Sequence, residues 1–223
     1  ADGLPDRALE GLRGDDLAAL ADSAASGPAP IELVRTSAVL GHAAALNIGI
    51  RRSTAPIVIV LDPSVVPAAD IVTPLVRALD DPGVAVAGPF GLVSADLRRF
   101  EEVVAAPAAS NRESDKPAPA RRAAAAIQGY LMAFRRADAI ERGPLDEGFR
   151  FYRNLDIWWS LVLRDEGEDA PPRRAVVVPG LSLTRGEPRA WASTAPAERD
   201  RLSKRNFYRV LDSFRTRPEL AVE

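Results

Sequence analysis

An α/β architecture is predicted by three features of this chain. Short apolar, β-branched runs alternate with longer segments of helical spacing, and Pro, Gly and Asp mark the seams between them. With 223 residues, 47% of them hydrophobic, the chain can bury one full core, so residues 1–223 read as a single domain.

The elements follow in order. Residues 15–25 (DDLAALADSAA) open with acids and carry apolar residues at helical spacing, which predicts a helix. Residues 31–35 (IELVR) read as a short strand. Residues 37–53 form an Ala-rich helix whose small side chains permit close packing on a sheet. Residues 56–61 (PIVIVL) read as a strand covered on both faces. Residues 68–80 are helical, with Pro67 just ahead and Asp81-Pro82-Gly83 at the end. Residues 84–87 are the next strand, stopped by Gly88-Pro89. This alternation implies right-handed crossovers and a mainly parallel or mixed sheet with helices on both faces.

The character then changes. Pro, Ala, Ser and charge over residues 107–120 predict a flexible loop. Residues 125–134 (AAIQGYLMAF) form a strand interrupted by Gly129, and residues 136–141 a short helix. Residues 143–147 make a turn. Residues 154–164 (NLDIWWSLVLR) are a helix capped by Asn154 and ended by Gly167. A late strand over 174–178 and a charged amphipathic helix over 197–214 complete the chain.

Composition excludes several functions. Lys plus Arg is 29 and Asp plus Glu is 31, and a net charge of −2 gives no nucleic-acid or membrane-surface signature. No cysteine is present, which excludes disulfides and thiolate metal sites and fits a reducing compartment, the cytoplasm. One histidine excludes a multi-His centre, so a hard cation would need oxygen ligands, as Mg²⁺, Mn²⁺ or Ca²⁺ accept. No apolar run approaches the roughly 20 residues of a membrane span, and no signal peptide is visible.

Asp62 follows the strand at 56–61, and open α/β sheets bind ligands outside the carboxyl ends of their strands. A bound ion or phosphate would be met there. The alternative is an Asx turn, which Pro63 also suits. His42 sits in an Ala-rich helix and reads as a satisfied or exposed histidine, not a ligand.

The order of these segments resembles glycosyltransferase family 2, whose fold is the Rossmann-like GT-A fold. A Gly-x-x-x-Ala-x-Asn-x-Gly helix is matched by Gly41, Ala45, Asn47 and Gly49. An Asp-x-Asp motif closing a hydrophobic strand is matched in part by Asp62-Pro63-Ser64. A Gly-containing strand followed by an Arg pair is matched by Gly129 with Arg135 and Arg136. The turn Gly143-Pro144-Leu145-Asp146-Glu147-Gly148-Phe149 comes next. An acidic base motif is matched by Asp156, and an Arg-Asn pair in a basic-aromatic terminal helix by Arg205-Asn206-Phe207-Tyr208.

The resemblance implies an inverting sugar transfer from a nucleotide-sugar donor, UDP- or GDP-linked, to an acceptor hydroxyl on a sugar, lipid or protein. It implies Asp156 as catalytic base, against the plainer reading of a helix cap. It implies Asp2, Asn47, Asp62, Ser64 and Arg185 at the nucleotide and diphosphate, with Arg189 as a further cation. Asp62 would hold Mg²⁺ or Mn²⁺. Gly129, Tyr130 and Trp158 would meet the acceptor, although Trp158 and Trp159 on adjacent positions face different ways and core packing suits both.

Departures from the family pattern are specific. Ala1-Asp2-Gly3 resembles the turn that closes the family's second strand, so the first strand, its helix and most of the second strand are expected to be missing. Ser64 stands where the second acid is expected, Leu155 where Glu usually precedes the base, and Arg185-Gly186 where a late His often assists metal or diphosphate. They favour the competing expectation of a GT-A-like binding or assembly module without catalysis. A flavodoxin-like binder is disfavoured, because no glycine-rich phosphate loop follows any strand.

Overall fold

The computed structural model describes residues 32, 34–37, 40–104, 121–186 and 193–223. The helix expected at 15–25, the loop at 107–120, and the site candidates Asp2 and Arg189 lie outside the described residues. Of the strand expected at 31–35, the described Glu32, Val34 and Arg35 carry no strand.

Five strands form the central sheet. They are β1 (Ile57–Leu61), β3 (Val84–Gly88), β6 (Arg122–Ala124), β8 (Leu131–Arg135) and β9 (Arg174–Val177), in the order β1-β8-β3-β9-β6. The sheet is mixed. β8 enters antiparallel between β1 and β3, so the two strands linked by the first crossover are not neighbours. β3 and β9 pair in parallel, and β6 returns antiparallel on β9. Two small sheets flank it: β2 (Val65–Pro67) pairs with β10 (Leu183–Arg185), and β4 (Phe90–Val93) lies between β5 (Glu101–Val104) and β7 (Ala126–Ile127).

Strand alternation sorts the core into two layers. On β8, Leu131 and Ala133 face α2 (Val72–Leu79), while Met132 and Phe134 face α4 (Leu155–Arg164). On β9, Val176 joins the α2 side, and Ala175 and Val177 join the α4 side. α2 buries Leu75, Ala78 and Leu79, the i, i+3, i+4 stripe of an amphipathic helix. Its first N–H groups, of Val72 and Thr73, bond to Asp70 Oδ1, which starts the helix four residues later than Pro67 suggests. β1 departs from its expected burial: Leu61 is 43% exposed, because among the described residues only β8 pairs with it.

Other boundaries move for local reasons. Residues 125–134 form two strands, β7 and β8, separated by a turn at Gly129-Tyr130. Gly88-Pro89 bends the chain without stopping it, and β4 follows at once. α4 ends at Arg164, before Gly167, where the buried Arg164 guanidinium donates to the carbonyls of Arg173, Ala125 and Leu220. Burial pulls that guanidinium down to about 10. α3 (Arg136–Glu141) matches its expectation, and α5 (Pro196–Phe214) closes the fold before a short 3₁₀ turn at Pro218–Leu220.

α1 (His42–Arg52) leads into β1, so its first turn lies at the carboxyl edge of that strand. Gly41 precedes it at φ 89°, where an added Cβ would come within 2.9 Å of Arg150 Cα. The leading N–H groups of His42 and Ala43 donate to the carbonyls of Arg150 and Phe149. α1 is thereby docked on the loop that leads into α4.

Candidate active site

Asp62 is the first residue past β1. Its N–H donates to the Tyr130 carbonyl at 2.9 Å, tying the end of β1 to the start of β8. Its carboxylate Oδ1 accepts from the Ser64 N–H at 2.8 Å and from the Ser64 hydroxyl, and its carbonyl accepts from Val65 N–H. The Asx turn weighed against a ligand role is therefore formed.

Asp156 lies in the first turn of α4. Its Oδ2 accepts the Gly129 N–H at 2.8 Å and its Oδ1 the Ile157 N–H at 3.0 Å. Burial pushes the carboxyl above the ordinary carboxylate range, and the two backbone N–H groups pull only part of the way back. Position at a helix start suggests the opposite, a carboxylate held ionised by the helix dipole. Desolvation outweighs the dipole here, so Asp156 is a stronger base than helix position implies.

The two acids line one cleft, together with His42, Gly129, Tyr130 and Tyr152. Met132, Phe134 and Trp159 make an apolar floor. Burial also raises the Tyr130 and Tyr152 phenols, so both stay protonated and can donate. His42 stands edge-on to Tyr152, with ring centroids 6.2 Å apart. The sequence reading set His42 aside and passed over Tyr152. A signal for His42 existed: the first turn of a helix that leads into a strand lies at that strand's carboxyl edge, beside Asp62.

Two expected site residues, Asn47 and Trp158, and one expected helix cap, Asn154, make their contacts elsewhere in the fold. Asn47 is 2% exposed, and its amide donates to Leu145 O and Glu147 Oε1 while Leu145 N–H donates to its Oδ1. Both amide N–H donors and one acceptor site of its Oδ1 staple α1 to the 143–149 turn. Trp158 packs on Phe149 with centroids 5.5 Å apart and donates to Ser213 Oγ on α5, away from the cleft that Trp159 floors. Asn154 precedes α4 at φ 66° without capping it; its amide donates to Ser203 O on α5.

Arg185 ends β10, and its Cα pairs with Val65 immediately after the Asp62 turn. Its guanidinium lies 4.5 Å from the Phe90 ring centroid and 4.7 Å from that of Tyr130. Nη1 meets Glu102 Oε1 at 2.8 Å and Gln128 Oε1 at 3.4 Å.

A mixed sheet with an acid at a strand's carboxyl edge, a second acid lining the same cleft and a terminal helix define an α/β architecture with a cleft at the sheet's edge. The model of "Glycosyl transferase family 2" matches residues 14–141, more than half of the chain, and the chain belongs to that family. Among solved structures it is similar to GalNAc-T7, determined with UDP, GalNAc and Mn²⁺, at 15% identity and a TM-score of 0.62. The match covers 91% of this chain and 40% of that one, so the chain spans less than half the length of this relative. That likeness carries the fold, GT-A. No curated protein sequence matches. No helix among the described residues is long and apolar enough to cross a membrane.

The neighbour's Mn²⁺ raises the question of whether these residues fit a divalent cation. One oxygen of Asp62 is already engaged by Ser64, which replaces the second acid. Among the described residues, no three His, Cys, Asp or Glu side chains gather to hold a metal ion. The donor set does not build the resident Mg²⁺ or Mn²⁺ site that the resemblance implies.

Proposed function

We propose that this chain, working in the cytoplasm, transfers a sugar from a UDP- or GDP-linked donor to an acceptor hydroxyl with inversion at the anomeric carbon. The observation that carries this reading is the convergence of Asp62 and Asp156, far apart in sequence, on a single cleft. The absence of cysteine supports the compartment.

In this reading Asp156 takes the proton of the acceptor hydroxyl as that oxygen bonds to the anomeric carbon. The bond from that carbon to the diphosphate oxygen breaks, and the nucleoside diphosphate leaves with the electron pair. A buried carboxylate of raised proton affinity suits the role, because general-base efficiency increases with basicity while the group remains ionised at working pH. Gly129 N–H holds Oδ2, which fixes the direction of the carboxylate. Asp62 would meet the donor at the carboxyl edge of β1, and Gly129 and Tyr130 the acceptor across from it. The apolar floor excludes water that would otherwise compete with the acceptor.

The test incubates the chain with a panel of UDP- and GDP-sugars and follows nucleoside diphosphate release. Release from at least one donor, abolished in Asp156→Asn, supports the reading; equal release by the variant removes Asp156 from the chemistry. One observation favours a second reading, a binding module without catalysis: Asp62 Oδ1 is satisfied within its own turn. Nucleotide binding without any release from any donor would identify it.

A further inference from the structure

A nucleoside diphosphate at the carboxyl edge of β1 brings two or more negative charges against Asp62, and something must offset them. A divalent cation does so where several oxygen ligands converge, and among the described residues no three His, Cys, Asp or Glu side chains gather to hold one. The same edge carries a fixed cation instead. Arg185 is held by backbone on one side, since its strand pairs with β2 and Gly186 N–H donates to Ser64 O at 2.8 Å. On the other side its guanidinium lies against the faces of the Phe90 and Tyr130 rings, which meet edge-on to each other, and the Tyr130 carbonyl is the acceptor for Asp62 N–H.

Two changes in the chain compensate each other. Ser64 stands at this edge without a carboxylate, and Arg185 brings a guanidinium on the strand paired with the backbone that follows Ser64. The rings restrain the long side chain before any ligand arrives, which lowers the ordering cost of binding. Its contacts to Glu102 and Gln128 both fall on Nη1, while the planar fork carries further donors on Nε and Nη2. Arg185 and Glu102 are 28% and 40% exposed at the side chain, so a phosphate can reach the pair from solvent. Guanidinium geometry matches phosphate oxygens two at a time.

We propose that Arg185 meets the diphosphate of the donor in place of a metal ion, so that this chain binds its nucleotide without a divalent cation. The proposal rests on the glycosyl-transfer reading above. It is tested by titration calorimetry of the full chain with UDP, GDP and inorganic pyrophosphate, first in EDTA and then with Mn²⁺. Binding in EDTA is expected for pyrophosphate and at least one nucleotide, with little gain from Mn²⁺. Arg185→Gln should weaken it roughly 10- to 100-fold, the worth of a charge-assisted hydrogen bond or two. Arg185→Lys should recover only part, because a point charge lacks the fork. Thermal melts of each variant show whether the fold is kept. Glu102→Gln, a change at the rim, should tighten binding in EDTA by releasing Nη1. Unchanged or weaker binding in that variant counts against the proposal. Binding that needs Mn²⁺ and survives Arg185→Gln overturns the proposal and leaves the transferase reading standing. Failure of all three probes under both conditions overturns both.

Discussion

The Gly129 N–H donates to Asp156 Oδ2 at 2.8 Å, joining the turn before β8 to the first turn of α4. The same glycine presents its bare Cα to the acid: an added Cβ would lie 3.3 Å from Asp156 Cβ and 3.7 Å from Oδ2. One residue therefore aims the carboxylate and leaves room for it. An acid across from Asp62 is held at the cleft by backbone, which has no rotamers to lose.

Asp156→Asn keeps the shape and one of the two acceptor oxygens but removes the base. Nucleoside diphosphate release should fall roughly 100- to 10,000-fold, the usual worth of general-base catalysis, with nucleotide affinity nearly unchanged. Steady-state kinetics beside calorimetry check it. A loss confined to KM would mean that Asp156 binds substrate without moving a proton.

The raised proton affinity of Asp156 has a consequence for stability whose sign is fixed. At pH below the ordinary carboxylate value of 3.8, the group is protonated folded or unfolded and costs nothing. As pH rises, the unfolded chain ionises first while the native carboxyl keeps its proton, so stability is lost until the native group ionises too. Asp156→Asn cannot titrate. Its Tm relative to wild type should rise as pH climbs above the ordinary carboxylate value and level off once the native carboxyl ionises, as read by calorimetric melts across pH. The acid limb of kcat/KM should sit above the usual carboxylate position in wild type. A Tm difference between variant and wild type that does not change with pH would contradict the burial cost.

Gly129→Ala tests the positioning. The contact at 3.3 Å asks Asp156 to give by a few tenths of an ångström, and small displacements of a reacting group are costly. An expected loss of about tenfold in kcat, with UDP affinity retained, follows from the sensitivity of catalysis to misplacement on this scale. Equal loss of kcat and nucleotide affinity would point instead to a collapsed cleft.

What the sequence made legible follows physical range. β1, α3, α4 and α5 are periodic over their own length, so local pattern suffices for them. β2, β5, β6 and β10 are three or four residues long and exist only through partners distant in the chain, which no local window contains. The same limit governs the site. Asp62 is singled out by its position after a strand, and Asp156 by the family resemblance. The bonds of Asn47 run to Leu145, 98 residues on, beyond any local window. The raised proton affinity of Asp156 comes from its burial in the fold, and dipole reasoning from helix position alone points the other way. Trp158 and Trp159 are adjacent and alike in sequence, and only the docking of α5 decides which one faces the cleft.

Asn206 shows how far from the cleft a site-determining contact can lie. It is fully buried on α5, and its amide donates to the carbonyls of Phe151 and Arg153, both at 2.8 Å. Those carbonyls belong to the turn that ends in Asn154 at φ 66° and delivers Asp156 into α4. Asn206→Ala leaves both acceptors without their donor, the Phe151 carbonyl in a buried site, and at about 1–3 kcal/mol for each such loss, roughly 2–6 kcal/mol is expected in urea unfolding. Asn206→Asp separates the donor from the packing. At neutral pH a carboxylate would face two carbonyl oxygens with nothing to donate, and should destabilise more than Ala. On acidification its protonated form regains one O–H donor, so the gap between the Asp and Ala variants should narrow and then reverse. Both variants should lose kcat, because the turn that aims Asp156 is loosened. If Asn206→Ala unfolds within about 0.5 kcal/mol of wild type, α5 does not hold this turn, and the position of Asp156 must be set by Gly129 alone.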